Sequence, residues 1–563
     1  MCIAGNSARF LAKRPVPGNG LALLLVLSIA PSGPAASEMR QGRFIEITAE
    51  AGLHFRHTSA VRGEYRLPEV MGSGAALFDY DHDGDLDIYL VNSEEGRSRL
   101  FGQTADGTFK DVTGPSGLDN PGYGMGAALG DFDNDGDLDI FVTNVGADRL
   151  YRNDGHGVFD EISDAAGIEG DTWSSSAAFC DVDADGYLDL YVVTYVATDP
   201  REVCTDPKGE RDYCPPSSYR PAADQIFLNT GKGTFRNVGE KSGISRVAGR
   251  GLGVICMDFN GDHRSDVLVA NDGEANHLWI NGGDGTFEER GISFGVSTNL
   301  FGEPEASMGI ALGDVDGDLD LDLFMTHIDR ESNTLYTRAR QDLLVDATIG
   351  AQLGHTSVPF TGFGTVFFDA DHDGDLDLAI ANGRVRKSSS RRETKRLDDF
   401  HSAYADPNLM LMNTGTGKFL NGCGEEPFCS AGDVSRGLIA GDIDRDGDLD
   451  LLVTNSNGPA RLYRNQIANE GTWLQIRAID PALSRDAIGA LVRVRIGDRW
   501  LVRPVVHTTG YLTSSDATVH FGLGDASDVD AVVVVWPDGE KERFPAMPAN
   551  QRRLIHKGSG RNE

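Results

Sequence analysis

Gly72-Ser-Gly-Ala-Ala-Leu-Phe78, Asp79-Tyr-Asp-His-Asp-Gly-Asp-Leu-Asp87 and Ile88-Tyr-Leu-Val-Asn92 follow one another without a break, and their reading decides the fold. Small residues lead into an apolar run, a carboxylate cluster follows, and a second apolar run ends at Asn. Short apolar runs on either side of a polar turn read as two strands of a hairpin. The pattern returns with clusters starting at Asp79, Asp131, Asp181, Asp258, Asp314, Asp369 and Asp442, at gaps of 52, 50, 77, 56, 55 and 73 residues. The long gaps become regular if residues 196–222 and 384–406 are loop insertions. A fixed period of this kind belongs to stacked or radial units.

Each unit has a second half. Asn153 is followed by Asp-Gly-His-Gly-Val-Phe159, Asn229 by Thr-Gly-Lys-Gly-Thr-Phe235, and Gly283-Asp-Gly-Thr-Phe287 lies just beyond Asn281. These Gly-rich turns between aromatic or β-branched runs are hairpins as well. Four short strands repeated seven times predict an all-β chain, a seven-bladed β-propeller in which radial closure protects the sheet edges. An open solenoid is the competing arrangement. The last unit supplies strands near Arg436–Gly441, Leu451–Asn455 and Arg461–Arg464 and lacks a fourth. Arg43-Phe-Ile-Glu-Ile-Thr48 resembles the fourth strand of other units (Phe109-Lys-Asp-Val-Thr113) and is expected to complete the seventh blade. Residues 469–558 alternate differently, through Trp473-Leu-Gln-Ile-Arg-Ala478 and Leu491-Val-Arg-Val-Arg495, and read as a small β-rich module. The expected boundaries are 1–37, 38–468, 469–558 and a tail at 559–563.

The cluster template is Asp-x-Asp/Asn-x-Asp-Gly-x-x-Asp. Positions one, three, five and nine offer side-chain oxygens, and position seven offers a carbonyl. These are Asp79, Asp81, Asp83, Asp85 and Asp87 in the first copy, then Asp131, Asp133, Asp135, Asp137 and Asp139 in the second. The third supplies Asp181, Asp183, Asp185, Tyr187 and Asp189, and the fourth Asp258, Asn260, Asp262, Arg264 and Asp266. In the fifth they are Asp314, Asp316, Asp318, Asp320 and Asp322, and in the sixth Asp369, Asp371, Asp373, Asp375 and Asp377. The seventh has Asp442, Asp444, Asp446, Asp448 and Asp450.

Hard oxygens packed this closely suit Ca2+, which takes six to eight of them, and up to seven ions are expected. Gly at position six permits the sharp turn; His263 and Leu319 stand there in the fourth and fifth copies, where weaker binding or a distorted turn is expected. An EF-hand needs Glu at position twelve and flanking helices. Position twelve here is Leu90 in the first copy and falls in the Phe141-Val142 stretch of the second, inside strands, so that motif is excluded. A single Asp-rich turn reads equally well as a solvated acidic turn; seven at one spacing do not.

With 86 acidic and 51 basic residues the formal charge is −35, which excludes duplex binding as the default function, since phosphates need clustered Lys and Arg. Arg9, Lys13 and Arg14 precede an apolar run from Leu21 to Ala30 and the small residues 34–37, the pattern of a secretory signal. That run is too short to span a bilayer, no later segment approaches a span, and a secreted, extracellular or periplasmic protein is expected. In such a compartment Cys204–Cys214 and Cys423–Cys429 are plausible local disulfides. The sequence leaves open whether Cys180 and Cys256 are bridged or buried as small hydrophobes.

The carboxylate clusters resemble the FG-GAP/VCBS repeats of integrin-α-like propellers, and in that family the pattern holds Ca2+ in the first hairpin of each blade. Leu67-Pro-Glu-Val-Met-Gly-Ser-Gly74, Trp173-Ser-Ser-Ser-Ala-Ala-Phe179, Asn333-Thr-Leu-Tyr336 and Thr361-Gly-Phe-Gly-Thr365 are similar to a narrower, cartilage-acidic-protein-like group. Gly510-Tyr-Leu-Thr-Ser-Ser515, His520-Phe-Gly-Leu-Gly524 and Val532-Val-Val-Val-Trp-Pro-Asp-Gly539 resemble the ASPIC/UnbV domain that follows such propellers. The resemblance implies the architecture and its calcium sites rather than an activity; loops exposed around a rigid disc point to a secreted calcium-binding scaffold for adhesion or binding, with an extracellular protein or glycan partner, and the acidic charge to no nucleic acid.

The insertions are natural contact points, one with Cys204 and Cys214. The other is basic: Arg384, Arg386, Lys387, Arg391, Arg392, Lys395 and Arg396 against Glu393. It suits either a polyanion or a clamp on the protein's own acidic surface. The alternative is a Ca2+-stabilised lyase or dehydratase acting on a carbohydrate-like substrate at the central channel, with His57, Glu69, Glu305 and His327 as acid–base candidates. It requires those four side chains to meet; structural histidines are the competing reading.

Overall fold

A computed structural model describes residues 44–59, 64–93, 95–197, 203–387, 403–424, 426–466 and 471–563. The expected leader at 1–37 lies outside the described residues, as do Arg391, Arg392, Glu393, Lys395 and Arg396.

Among the described residues the repeats form seven four-stranded antiparallel meanders. Their innermost strands are Ala75–Phe78, Tyr123–Gly130, Thr172–Cys180, Gly251–Met257, Ile310–Gly313, Gly362–Phe368 and Ser435–Gly441. Each carboxylate cluster joins a first strand to a second. The small residues before the clusters let the inner strands crowd the axis: a Cβ on Gly74 would lie 2.6 Å from Gly126 Cα, and one on Gly309 2.1 Å from the Phe363 carbonyl. Hydroxyls fasten the inner strands to each other. Thr326 Oγ1 donates to Phe363 O at 2.7 Å, and Ser175 Oγ to Gly251 O at 2.9 Å.

The outermost strands are three residues long in six blades and begin with Phe; at Phe109–Asp111 and Phe159–Glu161 the Phe is buried and the charged residues after it are exposed. Short charged edges discourage pairing with other chains. The seventh blade closes as expected: Phe44 pairs with Asn465, Ile45 with Arg464 and Glu46 with Tyr463. All three cysteine pairs are bonded, and Cys180–Cys256 ties the inner strands of blades three and four.

The C-terminal module has its own core of Leu474, Ile476, Val492, Val494, Phe521, Val532, Val534 and Trp536. Arg561–Asn562, read from the sequence as a tail, pairs with Lys541–Phe544 and belongs to this module. From the module a hairpin, Thr508–Thr509 and Thr513–Ser515, runs into the propeller. Thr513, Ser514 and Ser515 pair in parallel with Ala75, Ala76 and Leu77 of blade one. Leu512 O accepts from Ala127 N of blade two, and Leu512 N donates to Ser176 Oγ of blade three. Gly510 bridges Ile310 of blade five. At its left-handed φ of +71° a Cβ would meet the Thr365 and Leu438 carbonyls of blades six and seven at 3.1 and 3.5 Å, and a Cβ on Gly253 of blade four would lie 3.4 Å from Gly510 O. One hairpin tip thus reaches the inner strand of every blade.

The other mouth of the channel is covered by the described parts of the two insertions. Lys387 N and Tyr404 Oη donate to Asp212 at 2.9 and 2.8 Å, and Lys387 Nζ donates to Arg211 O at 2.7 Å. Arg384 pairs with Asp406 and Asp329 at 3.0 and 3.3 Å, so the described part of the basic insertion clamps the protein's own surface. Between the two covers lie Leu67, Met71, Met125, Trp173, Tyr195, Met308, Phe363, Tyr511 and Leu512, all buried.

Candidate metal centres

Every carboxylate loop takes two left-handed residues, at positions four and six. In five loops position six is Gly, with φ between +88° and +100°, and position four is His82, Asn134, Ala184, His372 or Arg445, near +60°. Loops four and five exchange the roles. Gly261 and Gly317 stand at position four (+76° and +79°), and His263 and Leu319 take position six at +64° and +73°. The turn expected to be distorted there is kept, because one glycine per loop still relieves one of the two sterically costly residues.

The ninth-position aspartates do more than offer oxygens. Asp139 Oδ2 accepts from Phe132 N at 3.2 Å and its Oδ1 from Asn153 N at 2.9 Å. The same pair of amides, from position two of the loop and from the third strand, meets Asp87, Asp189, Asp266, Asp322, Asp377 and Asp450. These carboxylates pin the loop to the sheet. An Asp139→Asn variant keeps one acceptor oxygen and faces one amide with an NH2 group; in urea unfolding with chelator present it is expected to lose about 2 kcal/mol, whereas the exposed Asp135→Asn should there lose less than about 0.5 kcal/mol.

The first-position carboxylate folds the turn: Gly84 N donates to Asp79 Oδ2 at 3.0 Å, and Gly136 N to Asp131 Oδ2 at 2.9 Å. Oxygens of Asp79, Asp81 and Asp87 lie within 4.8 Å of one another, as do those of Asp131, Asp133 and Asp139, of Asp181, Asp183 and Asp189, of Asp314, Asp316 and Asp322, and of Asp369, Asp371 and Asp373. Such groups can hold a metal ion. Asp79 Oδ1, Asp133 Oδ1, Asp181 Oδ1, Asp369 Oδ1 and Asp442 Oδ1 are buried with no hydrogen-bond partner. An unpaired buried carboxylate oxygen is costly unless a cation meets it, so loops one, two, three, six and seven fit a bound ion. Burial, reinforced by neighbouring aspartates, pushes Asp87, Asp189, Asp322 and Asp369 up to about 8 and Asp131 up to about 7.

Sequence reasoning missed what joins the loops. A side chain at or near the end of the third strand of each blade donates to the position-two carbonyl of the preceding loop. Asn153 reaches Tyr80 O, Asn229 Phe132 O, Asn281 Val182 O, Asn413 Val315 O and Asn465 Ala370 O, at 2.7–2.9 Å. Arg338 reaches Phe259 O at 3.0 Å and Gln103 reaches Ile443 O at 2.9 Å. The seven contacts close a ring. Its signal was visible as the Asn that precedes the Gly-rich turns at Asn153, Asn229 and Asn281, to which no role was given. Position-four side chains add further links: His82 to Asp137 at 2.7 Å, Asn134 to Gly186 O at 3.1 Å, and Arg445 to Asp85 at 3.1 Å.

The C-terminal module rests on this face. Gln475 donates to Asp442 at 2.7 Å, Gly522 N to Asp369 at 2.9 Å, Arg499 to Asp373 O at 2.9 Å, and Arg485 to Asn134 Oδ1 at 2.9 Å.

The four acid–base candidates fall into two pairs held by different blades. His57 Nδ1 accepts from Asn457 N at 3.1 Å, and its pKa is lowered to about 3 by burial and by Arg436. Glu69 meets Arg66 at 3.4 Å and Tyr213 Oη at 3.5 Å. Glu305 accepts from Thr334 and Asn299 at 2.9 and 3.1 Å and lies 3.6 Å from His327, whose Nδ1 faces Ser332 O at 2.8 Å. The small cavity beneath the insertions, about 40 Å³, is lined by none of the four.

The FG-GAP-like repeat model matches residues 79–142, 131–192 and 258–325, and the model described as ASPIC and UnbV matches residues 481–562. Cartilage acidic protein 1 of Homo sapiens is 26% identical over 319 residues, 56% of this chain and 44% of the relative; the Mus musculus protein is 26% identical over 320 residues, 56% and 46%. The match thus spans less than half the length of these relatives. Among solved structures, YCF48 bound to D1 peptide aligns over 77% of this chain and 98% of its own, at 10% identity and a TM-score of 0.40. The propeller assignment stands on the strand pairing above. Repeats, closing strand and capping module together make this chain a propeller that carries FG-GAP-like repeats and a C-terminal ASPIC/UnbV domain, similar over 56% of its length to cartilage acidic protein 1.

Proposed function

We propose that the chain is a secreted, calcium-loaded propeller acting as an extracellular scaffold for adhesion or binding, its partner a protein or glycan recognised on the insertion-bearing face. The observation that carries this reading is the filled channel: hairpin 508–515 occupies the axis from one side and the clasped insertions cover the other. An axis occupied from one side and covered from the other leaves surfaces and loops as the main sites of recognition. Three disulfides suit an oxidising compartment, and no helix among the described residues is long and apolar enough to cross a membrane.

The oxygen-only donor sets favour Ca2+ over softer-ligand metals. Side-chain oxygens at positions one, three, five and nine, with the carbonyl at position seven, would hold the ion; when bound it supplies the positive charge that crowded carboxylates need. The ring of third-strand side chains passes that order from loop to loop, and the disc then presents its opposite face as a rigid surface.

The test is a screen of the Ca2+-loaded full chain against arrays of glycans and extracellular proteins. Binding is expected to disappear with chelator and when the largely exposed residues 205–210 are replaced by a Gly-Ser linker of equal length, with little change in melting temperature for that variant. Turnover of polysaccharide by the wild-type chain would contradict the scaffold reading.

A further inference from the structure

Loop four differs from its six counterparts at the level of charge. It has three aspartates and an arginine, a net of −2, whereas the others carry −4 or −5. Position seven, an acid or Tyr elsewhere, is Arg264, and its guanidinium folds back onto the Asp262 carboxylate while Nε donates to Asn281 O at 3.1 Å. Asn260 turns its NH2 group inward, 2.8 Å from Asp262 Oδ2. Asp258 Oδ1 accepts from the amides of Asn260, Gly261 and Asp262 at 3.2, 2.7 and 3.2 Å, and Oδ2 from His263 N at 2.8 Å. Every side-chain oxygen at positions one, three and five of this loop therefore has a donor, in contrast to the orphaned oxygens of loops one, two, three, six and seven.

A second arginine converges on the same place. In the ring of third-strand side chains six blades use an amide, Asn or Gln, and blade five uses Arg338, which donates to Phe259 O within loop four and to Gln341 O at 2.7 Å. Gln341 in turn donates to Asn260 O at 2.6 Å. Loop seven also contains an arginine, but Arg445 points away, to Asp85 of loop one. Blade four is moreover bonded covalently to blade three through Cys256, two residues before the loop.

On the calcium reading of the other loops, we propose that loop four takes no ion because Arg264 is its resident cation. A divalent ion there would have to expel a guanidinium from the carboxylate it needs and then sit beside that positive charge, which opposes binding. The propeller then holds at most six ions, and the loop without one is fastened by side chains and a disulfide.

The experiment counts bound calcium by mass spectrometry in the full chain, equilibrated with Ca2+ and then desalted, for the wild type and for Arg264→Asp, which restores the acid found in most copies. The variant is expected to hold one more ion per chain than the wild type. In crystals of the wild type, anomalous scattering from calcium is expected at loop six and not at loop four, a reading that does not depend on the variant folding. An anomalous peak at loop four, or equal counts in a folded Arg264→Asp variant, overturns the inference. A wild type that holds no calcium at all overturns the calcium reading instead, so the two failures are distinguishable.

Discussion

Stripping divalent ions from the full chain is expected to lower its melting temperature by on the order of 15 °C at pH 7.5. An ion held at ~100-fold above its Kd stabilises the folded state by about 2.7 kcal/mol, so six ions contribute about 16 kcal/mol. Unfolding entropy of ~2.1 cal/mol/K per residue gives ~1.1 kcal/mol/K for a chain of this size. The pH dependence should reverse with the metal. Without calcium, burial holds Asp87, Asp189, Asp322 and Asp369 near 8 in the folded chain, far above the unfolded value. A raised carboxylate pKa contributes stability that is full below the unfolded pKa and is lost as pH rises through the folded one. The chelated protein should therefore melt higher at pH 5.5 than at pH 8. The calcium-loaded protein should do the opposite, because protons compete with the ion for the same oxygens. Calorimetry at both pH values, with and without chelator, measures this; identical curves in all four conditions would remove the metal from the account of stability.

Tyr511→Ala should be the most damaging single change outside the carboxylate loops. The ring is fully buried on the channel axis, 4.9 Å from the Phe363 ring centre, and its hydroxyl donates to Met71 O at 3.0 Å. Removing a buried aromatic costs about 3–5 kcal/mol, and the cavity would open where the capping module meets the propeller. Tyr511→Phe, which loses only the hydrogen bond, should cost about 1 kcal/mol. Urea unfolding gives the energies, and binding of a hydrophobic dye to the folded alanine variant reports the opened channel. A cost for alanine no greater than for phenylalanine would mean that the hairpin is not seated on the axis in solution.

The blades were legible because their determinants are local. Two apolar runs and a glycine-bearing acidic turn fold as a hairpin whatever surrounds them, and a missing fourth strand at one end with a spare one at the other reveals closure by counting. Phe44 pairing with Asn465 is that count made visible. The exchange of glycine between positions four and six in loops four and five was equally present in the sequence, at Gly261 and Gly317. It went unread because one template position was weighed without its partner.

The seven-fold repeat, the ligand-rich loops and the closing strand were determined by the sequence alone, since each depends on residues within one unit or on the number of units. Only the tertiary structure decided what crosses between units. It carried Asn153 to Tyr80, folded Arg264 back onto Asp262 rather than outward as Arg445 does, gave His57 and His327 different partners, and sent Tyr511 down the channel from a module that follows the last blade. The reason is physical: spacing along a chain fixes which atoms can meet inside a turn, whereas the direction taken by a long side chain, or by a hairpin leaving its own domain, depends on the packing and charge of partners that the chain brings there only by folding.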